Sequence, residues 1–370
     1  SALGYLLGAG QPLPDSAALG DWLVALARDC DAIHCQTLPD ADEQLYVAPR
    51  QTAELLPARQ PKRRAAENWW IASYSALRIG EDAIDLSADV PQAQQLLDDE
   101  RPDPNALREV AATAGDMHRF PRGPNPGTFL HGLLEWAGQN GFEWAAAAPE
   151  ALHDTVAQRC IRRDWKGWIG TLSGWLQHLL QAPLRLGDDS TPVTLSGLSQ
   201  YQIEMEFWFA SHRVDVLRLD RLVARYTHEG TSRPAAQAAS LNGMFKGFID
   251  LVFEHEGRYY VADYKSNWLG PDDFAYSETA MESAILEHRY DLQYVLYLLA
   301  LHRQLRARLP DYDYDRHVGG AVYIFLRGAH SASQGVYFVK PPRVLIEQLD
   351  LLFRGEAQTL QHDLFSGDAQ

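Results

Sequence analysis

The sequence predicts an α/β fold with a mixed central β-sheet flanked by helices. Strand-like stretches, rich in aromatic and branched residues, are interleaved with stretches whose apolar residues recur at helical spacing. Both kinds of stretch surround one hairpin, GFIDLVFEHEGRYYVADYK at residues 247–265. The Glu256-Gly257 pair suits a two-residue turn because glycine readily adopts the positive φ that such turns need.

Composition and charge narrow the function classes. The chain has 370 residues, 46% of them hydrophobic and 22% charged, which is enough for a substantial core. A net charge of −16 argues against a general nucleic-acid binder. Local basic clusters nevertheless occur at RQPKRR (59–64), IRRDWK (161–166) and HRQLRAR (302–308). Each is either a solvated helix face or linker, or a patch that contacts phosphates.

The sequence predicts a cytoplasmic protein. It contains no run of about 18 apolar residues, so no transmembrane helix is expected. The first residues, SALGYLLGAG, lack a basic leader and do not resemble a signal peptide. Three cysteines, Cys30, Cys35 and Cys160, are too few for a disulfide framework and suit a reducing compartment.

The N-terminal part is predicted to consist of one helix and a tether. The helix lies near residues 17–28 and is followed by mixed loop. The Pro- and Arg-rich stretch at 48–64 predicts a linker. A second unit begins with a strand within NWWIASYSALR at 68–78, and the acidic, then Pro-rich stretch at 80–125 predicts a long loop.

The second unit alternates between helices and strands. Thr128 is the predicted N-cap of its first helix. In chain order, the predictions outside the hairpin are helices at 125–137 and 168–184, strands at 201–210 and 214–226, an amphipathic helix at 284–309, a strand at 319–328 and a helix at 343–353.

Each arm of the hairpin carries one aspartate among apolar neighbours. If His255 pairs with Arg258, Asp250 lies directly opposite Asp263, with Cβ atoms about 5 Å apart. Lys265, two residues beyond Asp263, joins the same face. Carboxylates this close raise each other's pKa unless a cation lies between them, and Mg²⁺ prefers oxygen ligands. The alternative is a surface salt-bridge triad that contributes little stability.

Polar residues on two helices support a site near the hairpin. Gln293 and Tyr297 are four residues apart and share a helical face, although a polar rim residue above a core tyrosine would look the same. His131 lies in an otherwise apolar helix and shares a face with Glu135. A lone histidine there is either a satisfied core or surface residue, or a neutral imidazole that completes a site with two carboxylates.

Five motifs in this order resemble the C-terminal nuclease domain of the RecB family: GTFLHGLLE, EMEFWF, GFIDLVFEHEGRYYVADYKSNWLG, HRYDLQYVLYLLALHRQL and GGAVYIFLRG. The resemblance runs from about residue 68 to the C-terminus and is close to residue by residue over 246–328. The D…DxK…QxxxY set is shared by the wider restriction-endonuclease-like superfamily, whereas DYKSNWLG is specific to RecB-like chains. The resemblance implies a restriction-endonuclease-like core at residues 66–370. Residues 1–65 resemble the tail of a helicase region and its tether.

The resemblance also implies a Mg²⁺-dependent DNA nuclease site that holds one or two ions. Lys265 would be the catalytic lysine, and Gln293 and Tyr297 would position DNA and the metal-site side chains. The implied metal ligands are His131, Asp250, Asp263 and the backbone carbonyl of Tyr264.

Two further residues are candidates with open alternatives. Glu206 in EMEF is an auxiliary acid or an edge-strand surface acid. Trp268, immediately after the motif, is a base-stacking residue or a core residue at a strand end. The expected substrate is single-stranded DNA delivered by a helicase.

RecB-like chains act in the bacterial RecBCD helicase–nuclease. The resemblance therefore implies the RecC and RecD subunits, the RecA recombinase and phage-encoded inhibitors as partners. It implies double-strand-break repair by homologous recombination, and degradation of foreign linear DNA. The phosphate-cradling motif G-x-x-x-x-G-K-[ST] does not occur, so the chain is expected neither to bind a nucleotide cofactor nor to unwind DNA by itself.

Two alternatives compete with this interpretation. An iron–sulfur nuclease of the same superfamily needs four cysteines around its core, and this chain has three, with none after Cys160. A catalytically idle docking module could use the predicted exposed helix that begins near Ala284. The presence of Asp250, Asp263 and Lys265 favours an enzyme, because a scaffold does not need them.

Overall fold

A mixed six-stranded β-sheet forms the centre of the larger of two units, Ser1–Arg64 and Ala65–Gln370. The structure is a computed structural model that describes residues 18–28, 34–36, 69–74, 77, 116–187 and 190–356. The smaller unit contains helix α1, Leu19–Arg28, at the predicted place. The predicted linker at 48–64, and the predicted loop at 80–125 up to residue 115, lie outside the described residues.

Parallel and antiparallel strands alternate across the sheet. The described strands are β1 (Trp70–Ala72), β2 (Pro183–Leu184), β3 (Val193–Thr194), β4 (Gln200–Asp215), β5 (Ser240–His255), β6 (Arg258–Lys265), β7 (Val318–Phe325) and β8 (Val336–Val339). The strand order is β1-β5-β6-β7-β8, and β4 pairs with β5 as well. Pairs β1–β5 and β6–β7 are parallel, whereas β4–β5, β5–β6 and β7–β8 are antiparallel. Strands β2 and β3 form a separate two-stranded sheet.

Helices cover both faces of the sheet. The described helices are α1, α2 (Pro124–Asn140), α3 (Phe142–Ala147), α4 (Pro149–Ile161), α5 (Ile169–Gln181), α6 (Val216–Tyr226), α7 (Glu278–Glu287), α8 (Tyr290–Arg308), α9 (Tyr314–His317) and α10 (Arg343–Arg354). Apolar residues of α6, α8 and α10 pack with Phe245 and Ile249 in one buried cluster. Those of α2, α4 and α5 pack with Leu251 and Phe253 in a second cluster. This arrangement confirms the predicted α/β fold with a mixed sheet.

The hairpin has the predicted turn and register. Glu256 and Gly257 have φ values of 52° and 76°, and positive φ at both central residues is what a type I′ turn requires. Beside the turn, His255 pairs with Arg258. Side chains along the two arms therefore alternate as the sequence predicts.

The predicted strand at 214–226 is wrong. Its first residues complete β4, and helix α6 follows. Asp215 caps this helix by accepting hydrogen bonds from the N–H groups of Leu217 and Arg218, at 2.9 and 3.3 Å. Val216, Leu219 and Val223 are its buried residues, and their spacing of three and four is helical. The first residues also alternate, and this alternation conceals the helical period.

The predicted single amphipathic helix at 284–309 is also wrong. α7 ends at Glu287 and α8 begins at Tyr290, because Arg289 between them adopts the left-handed conformation, with φ 56°. Every residue of α8 from Tyr290 to His302 is buried. The helix belongs to the core, so it does not offer the exposed docking surface that a docking module would require.

The other predicted helices and strands are present, most of them within a few residues at their ends, although β5 begins at Ser240, seven residues before the predicted hairpin. The sequence analysis did not predict α3, α4, α9, β2, β3 or β8. One cap differs. Helix α2 begins at Pro124 after Gly123, and the hydroxyl of Thr128 donates to the carbonyl oxygen of Pro124 at 2.8 Å, inside the helix rather than at its N-cap. None of the described helices combines the length and the apolar character needed to cross a membrane.

Candidate active site

The two arms of the hairpin part at the predicted acids. The β5–β6 ladder runs from the turn to the pair Leu251 and Ala262 and ends there. β6 then continues along β7, and β1 pairs with β5 at residues 243–245. Asp250 and Asp263 therefore lie in a fork between the strands, one position past the last ladder pair. The sequence predicts that the two aspartates face each other as a pair within the ladder, but the ladder ends before it reaches them.

A buried polar network surrounds Asp263. The Nζ of Lys265 lies 2.7 Å from Asp263 Oδ2 and donates to Gln293 Oε1 at 3.0 Å. The amide of Gln293 donates to Asp263 Oδ1 at 3.2 Å and to Tyr297 Oη at 2.9 Å. Tyr323 Oη also donates to Gln293 Oε1, at 2.9 Å. The structure thus brings together the lysine, the second aspartate and both predicted residues of α8.

A second group of residues surrounds Asp250. Its Oδ2 accepts a hydrogen bond from the backbone N–H of Tyr264 at 2.8 Å and lies 3.5 Å from Nδ1 of His131 on α2. The rings of His131 and Tyr264 meet edge to face, 5.8 Å apart. Burial, and then the carboxylates of Asp263 and Glu204, hold the pKa of Asp250 well above its ordinary value.

Glu204 is an acid near this group that the sequence analysis did not select. It lies in β4 with φ 48°, and the β4–β5 ladder is paired on either side of Glu204 and Asp250 but skips both residues. Glu206, the acid selected from EMEF, is exposed and forms an ion pair with Lys246 at 2.8 Å. Acids two residues apart share a face in a regular strand. Only the left-handed conformation of Glu204 separates their environments, and no local sequence signal marks it.

The donor set fits a divalent cation that prefers oxygen and imidazole ligands. Among the described residues, no three His, Cys, Asp or Glu side chains already form a set that could hold an ion. Two observations nevertheless favour a cation beside Asp250. Burial, and then two neighbouring carboxylates, raise the pKa of its carboxyl, and Nε2 of His131 is buried with no hydrogen-bond partner. Asp263 and the carbonyl of Tyr264 would complete the set.

Three tyrosines at the site are held in the neutral form. Burial is the largest cause of the raised pKa of Tyr264, Tyr297 and Tyr323, and the nearby aspartates add to it. Their hydroxyls therefore remain hydrogen-bond donors across the ordinary pH range. The site contains acids for a cation and one buried ammonium group, but no tyrosinate that could act as a base.

The surroundings of the fork include aromatic and basic groups. The guanidinium of Arg122 lies 3.6 Å from the ring centroid of Trp268, so an arginine already covers one face of this predicted stacking residue. Trp268 also lines a cavity of about 490 Å³, together with residues that include Asn267, Ser283 and His288. The cluster IRRDWK lies at the end of α4, with its basic side chains exposed.

Comparison with known proteins gives a consistent picture. The family model described as the PD-(D/E)XK nuclease superfamily matches residues 106–367. RecBCD enzyme subunit RecB of Escherichia coli (strain K12) is 38% identical over 368 residues, which cover 96% of this chain and 29% of that protein. The subunits of the same name from Haemophilus influenzae and Mycobacterium tuberculosis are 35% and 29% identical over 63% and 80% of this chain. The chain spans less than a third of the length of these relatives.

Proposed function

The chain belongs to the PD-(D/E)XK nuclease superfamily, and we propose that it is a Mg²⁺-dependent deoxyribonuclease domain that hydrolyses phosphodiester bonds of single-stranded DNA. The main support is the arrangement at the fork. Asp263, Lys265 and Gln293 form one buried network, and the Asp250 group lies beside it. A scaffold gains nothing from burying these charges, because buried ionic groups are weak contributors to stability.

His131, Asp250, Asp263 and the carbonyl of Tyr264 would hold the ion. When bound, Mg²⁺ supplies Lewis-acid stabilisation of the charge that develops on the phosphate and lowers the pKa of its water. The protein's own contribution is placement and electrostatics. Lys265 presents a compact positive charge to the phosphate from a buried position, where the charge is little screened by bulk solvent.

Gln293 fixes the direction of that charge. Its carbonyl oxygen accepts from Lys265 and from Tyr323, so the amide orientation is determined from two sides. Its amide group then donates to Asp263 and Tyr297. A catalytic lysine held in this way loses little freedom when substrate binds, which is the benefit of preorganisation.

The names of the relatives suggest the setting. We propose that the chain works within a RecBCD-type complex with RecC and RecD subunits in the bacterial cytoplasm, where a helicase delivers the strand. The proposed roles are recombinational repair of double-strand breaks and degradation of foreign linear DNA. RecA and phage-encoded inhibitors are the further proposed partners, and residues 1–65 are proposed to be the tail of the helicase region and its tether.

A metal-dependence assay on the 370-residue chain tests the activity. We expect Mg²⁺ to support cleavage of linear single-stranded DNA, and Ca²⁺ to bind with little cleavage because it tolerates looser geometry. Asp250→Asn should lower the rate by about a hundredfold or more, on the scale of removing one electrostatic interaction with a transition state. A folded wild-type chain that binds Mg²⁺ but leaves DNA intact would favour the docking module instead.

A further inference from the structure

Among the described residues, part of one face of the sheet, on β1, β4 and β5, is exposed beside the candidate site. On β4 and β5, Phe207, Phe245 and Ile249 point into the core cluster that contains α8. The residues between them point to the opposite, outer face, because side chains alternate along a strand. The ladders place the following neighbours on that face: Phe248 with Glu206, Lys246 with Trp208, and Met244 with both Ala210 and Ile71.

Large apolar side chains on this face are exposed. Trp208 is 45% exposed and Ile71 48%, and Trp69, two residues before Ile71, is 62% exposed. Met244, Lys246 and Phe248, their neighbours on this face, are half-buried. Exposed apolar side chains that are grouped in this way mark a binding surface more often than scattered ones do. We call this surface the aromatic strip; it comprises Trp69, Ile71, Trp208, Met244, Lys246 and Phe248.

Lys246 lies between two of the rings. Its Nζ is 4.7 Å from the ring centroid of Trp208 and 4.9 Å from that of Phe248. Glu206 neutralises the same ammonium group from 2.8 Å. The ammonium group therefore covers one face of each ring, its charge is compensated by Glu206, and the exposed surface of Trp208 is what the strip offers for stacking. Such a surface recognises flat, unsaturated groups rather than bare phosphates.

The strip leads to the Asp250 side of the candidate site, whereas the network of Asp263, Lys265 and Gln293 lies on the face of the sheet that carries α8. Phe248 is two residues before Asp250 on β5, a separation of about 7 Å along a strand. Helix α2 closes this side of the sheet at Asp250, since His131 of α2 contacts its carboxylate at 3.5 Å. Between Asp250 and Met244 the open face is about 20 Å long, which accommodates a few nucleotides.

We infer that the aromatic strip is the track on which single-stranded DNA lies, bases against the rings, as it enters the cleavage site. The inference rests on the proposed nuclease function and adds the path of its substrate. Stacking on aromatic rings is independent of base identity, as a nuclease that degrades any sequence requires. A protein partner would cover the same rings but gives no reason for the strip to run up to Asp250.

Binding of a labelled oligo-dT by fluorescence anisotropy in EDTA, where no cleavage occurs, tests the track. Trp208→Ala should weaken binding about tenfold, the scale of losing one stacked base. Trp208→Phe should restore most of the affinity. Trp144→Ala is the matched control, because Trp144 is 47% exposed but lies on α3, outside the strip. We expect this control to bind as the wild type does.

Cleavage kinetics give a second readout. In Mg²⁺, Trp208→Ala should raise KM about tenfold and leave kcat unchanged, because the ring contacts DNA away from the reacting bond. Equal affinities of Trp208→Ala and the wild type would overturn the track. The track would also be overturned if Trp208→Ala bound DNA as the wild type does but changed its oligomeric state, because the strip would then be a protein contact. A wild type that does not cut DNA, but whose binding still depends on Trp208, would refute the nuclease proposal and retain the track.

Discussion

Asp250 and Asp263 lie in one fork but have opposite surroundings. Asp263 has a buried ammonium partner 2.7 Å away in Lys265, whereas the pKa of Asp250 is raised by burial and by two other carboxylates. A carboxyl whose pKa is raised in the folded state reduces stability at pH values above its unfolded pKa, about 3.9. Asp250 therefore costs stability at neutral pH when no cation is bound, whereas loss of the Asp263 charge would leave Lys265 buried without its partner.

The two asparagine variants should move stability in opposite directions. In EDTA at pH 8, Asp250→Asn should raise the free energy of unfolding. The gain should shrink as the pH falls through the raised pKa towards about 3.9. Asp263→Asn should lower it by about 3 kcal/mol, because Lys265 is left buried without its counter-ion. Urea unfolding measures both values, and shifts of the same sign would contradict this assignment of charges.

Sequence reasoning at this scale succeeded where the strand is regular. The register of the hairpin, and the grouping of Asp263 with Lys265, follow from alternation and turn chemistry. It failed to single out Glu204. Residue spacing could not show that Glu204, rather than Glu206, lies near Asp250. The left-handed conformation of Glu204 within a strand is imposed by its tertiary surroundings.

Buried ion pairs hold the N-terminal end of helix α8 in place. Asp291, in its first turn, is bonded to Arg289 at 3.0 Å and to Arg233 at 2.6 Å. Arg289 also donates to the carbonyl oxygen of Pro234 at 2.6 Å. Gln293 lies two residues after Asp291, so we expect this anchor to hold Gln293 in position at the site.

Asp291→Asn should therefore destabilise the protein by about 3–5 kcal/mol and also lower kcat, with the folded chain assayed well below its Tm. Asp350→Asn provides the control. Asp350 is also buried and is paired with Arg303, Arg306 and Arg354, but it lies on α10. Its substitution should cost similar stability and leave kcat unchanged. Equal kcat values in the two variants would show that the anchor does not position Gln293.

The errors at this scale have a common cause. α6 and the α7–α8 break were misassigned because local pattern competed with tertiary contacts. Alternating apolar and polar residues around Asp215 resembled a strand and concealed the helix that Asp215 caps. Arg289 interrupts the second helical stretch although no glycine or proline lies at the break. A buried arginine that bonds residues distant in sequence stabilises such a break, and the sequence order does not reveal those partners.

For the whole molecule, a net charge of −16 leads us to expect that the proposed DNA binding depends on a few basic clusters. Reversing the charges of Arg162 and Lys166, which lie near the end of α4 and are exposed, should flatten the salt dependence of oligonucleotide binding. The expected change in the slope of log K against log salt is about 0.7 for each phosphate that the variant no longer neutralises. Trp208→Ala should leave that slope unchanged. Reversal within RQPKRR, outside the described residues, should change little if that stretch is a tether.

Anisotropy over a salt series measures these slopes. Tight DNA binding that is insensitive to salt would contradict the proposal that a helicase in the complex delivers the strand.

The overall architecture was predictable because helices and strands alternate around one strong hairpin. The surface that contacts partners was not predictable, because a net charge of −16 does not show which face of the molecule is free to bind them.

The fork between β5 and β6 also bears on the order of folding. The hairpin closes across a two-residue turn, whereas β1 reaches β5 by pairing Trp70 with Gly243, far away in the chain. Closing a long loop costs more entropy than closing a short one, so local pairing precedes remote pairing. We therefore expect the arms that carry the two aspartates to be joined before β1, with Trp69 and Ile71, pairs with β5. During synthesis β1 emerges from the ribosome well before the strand it needs, and it must wait unpaired until residues 243–245 have been made.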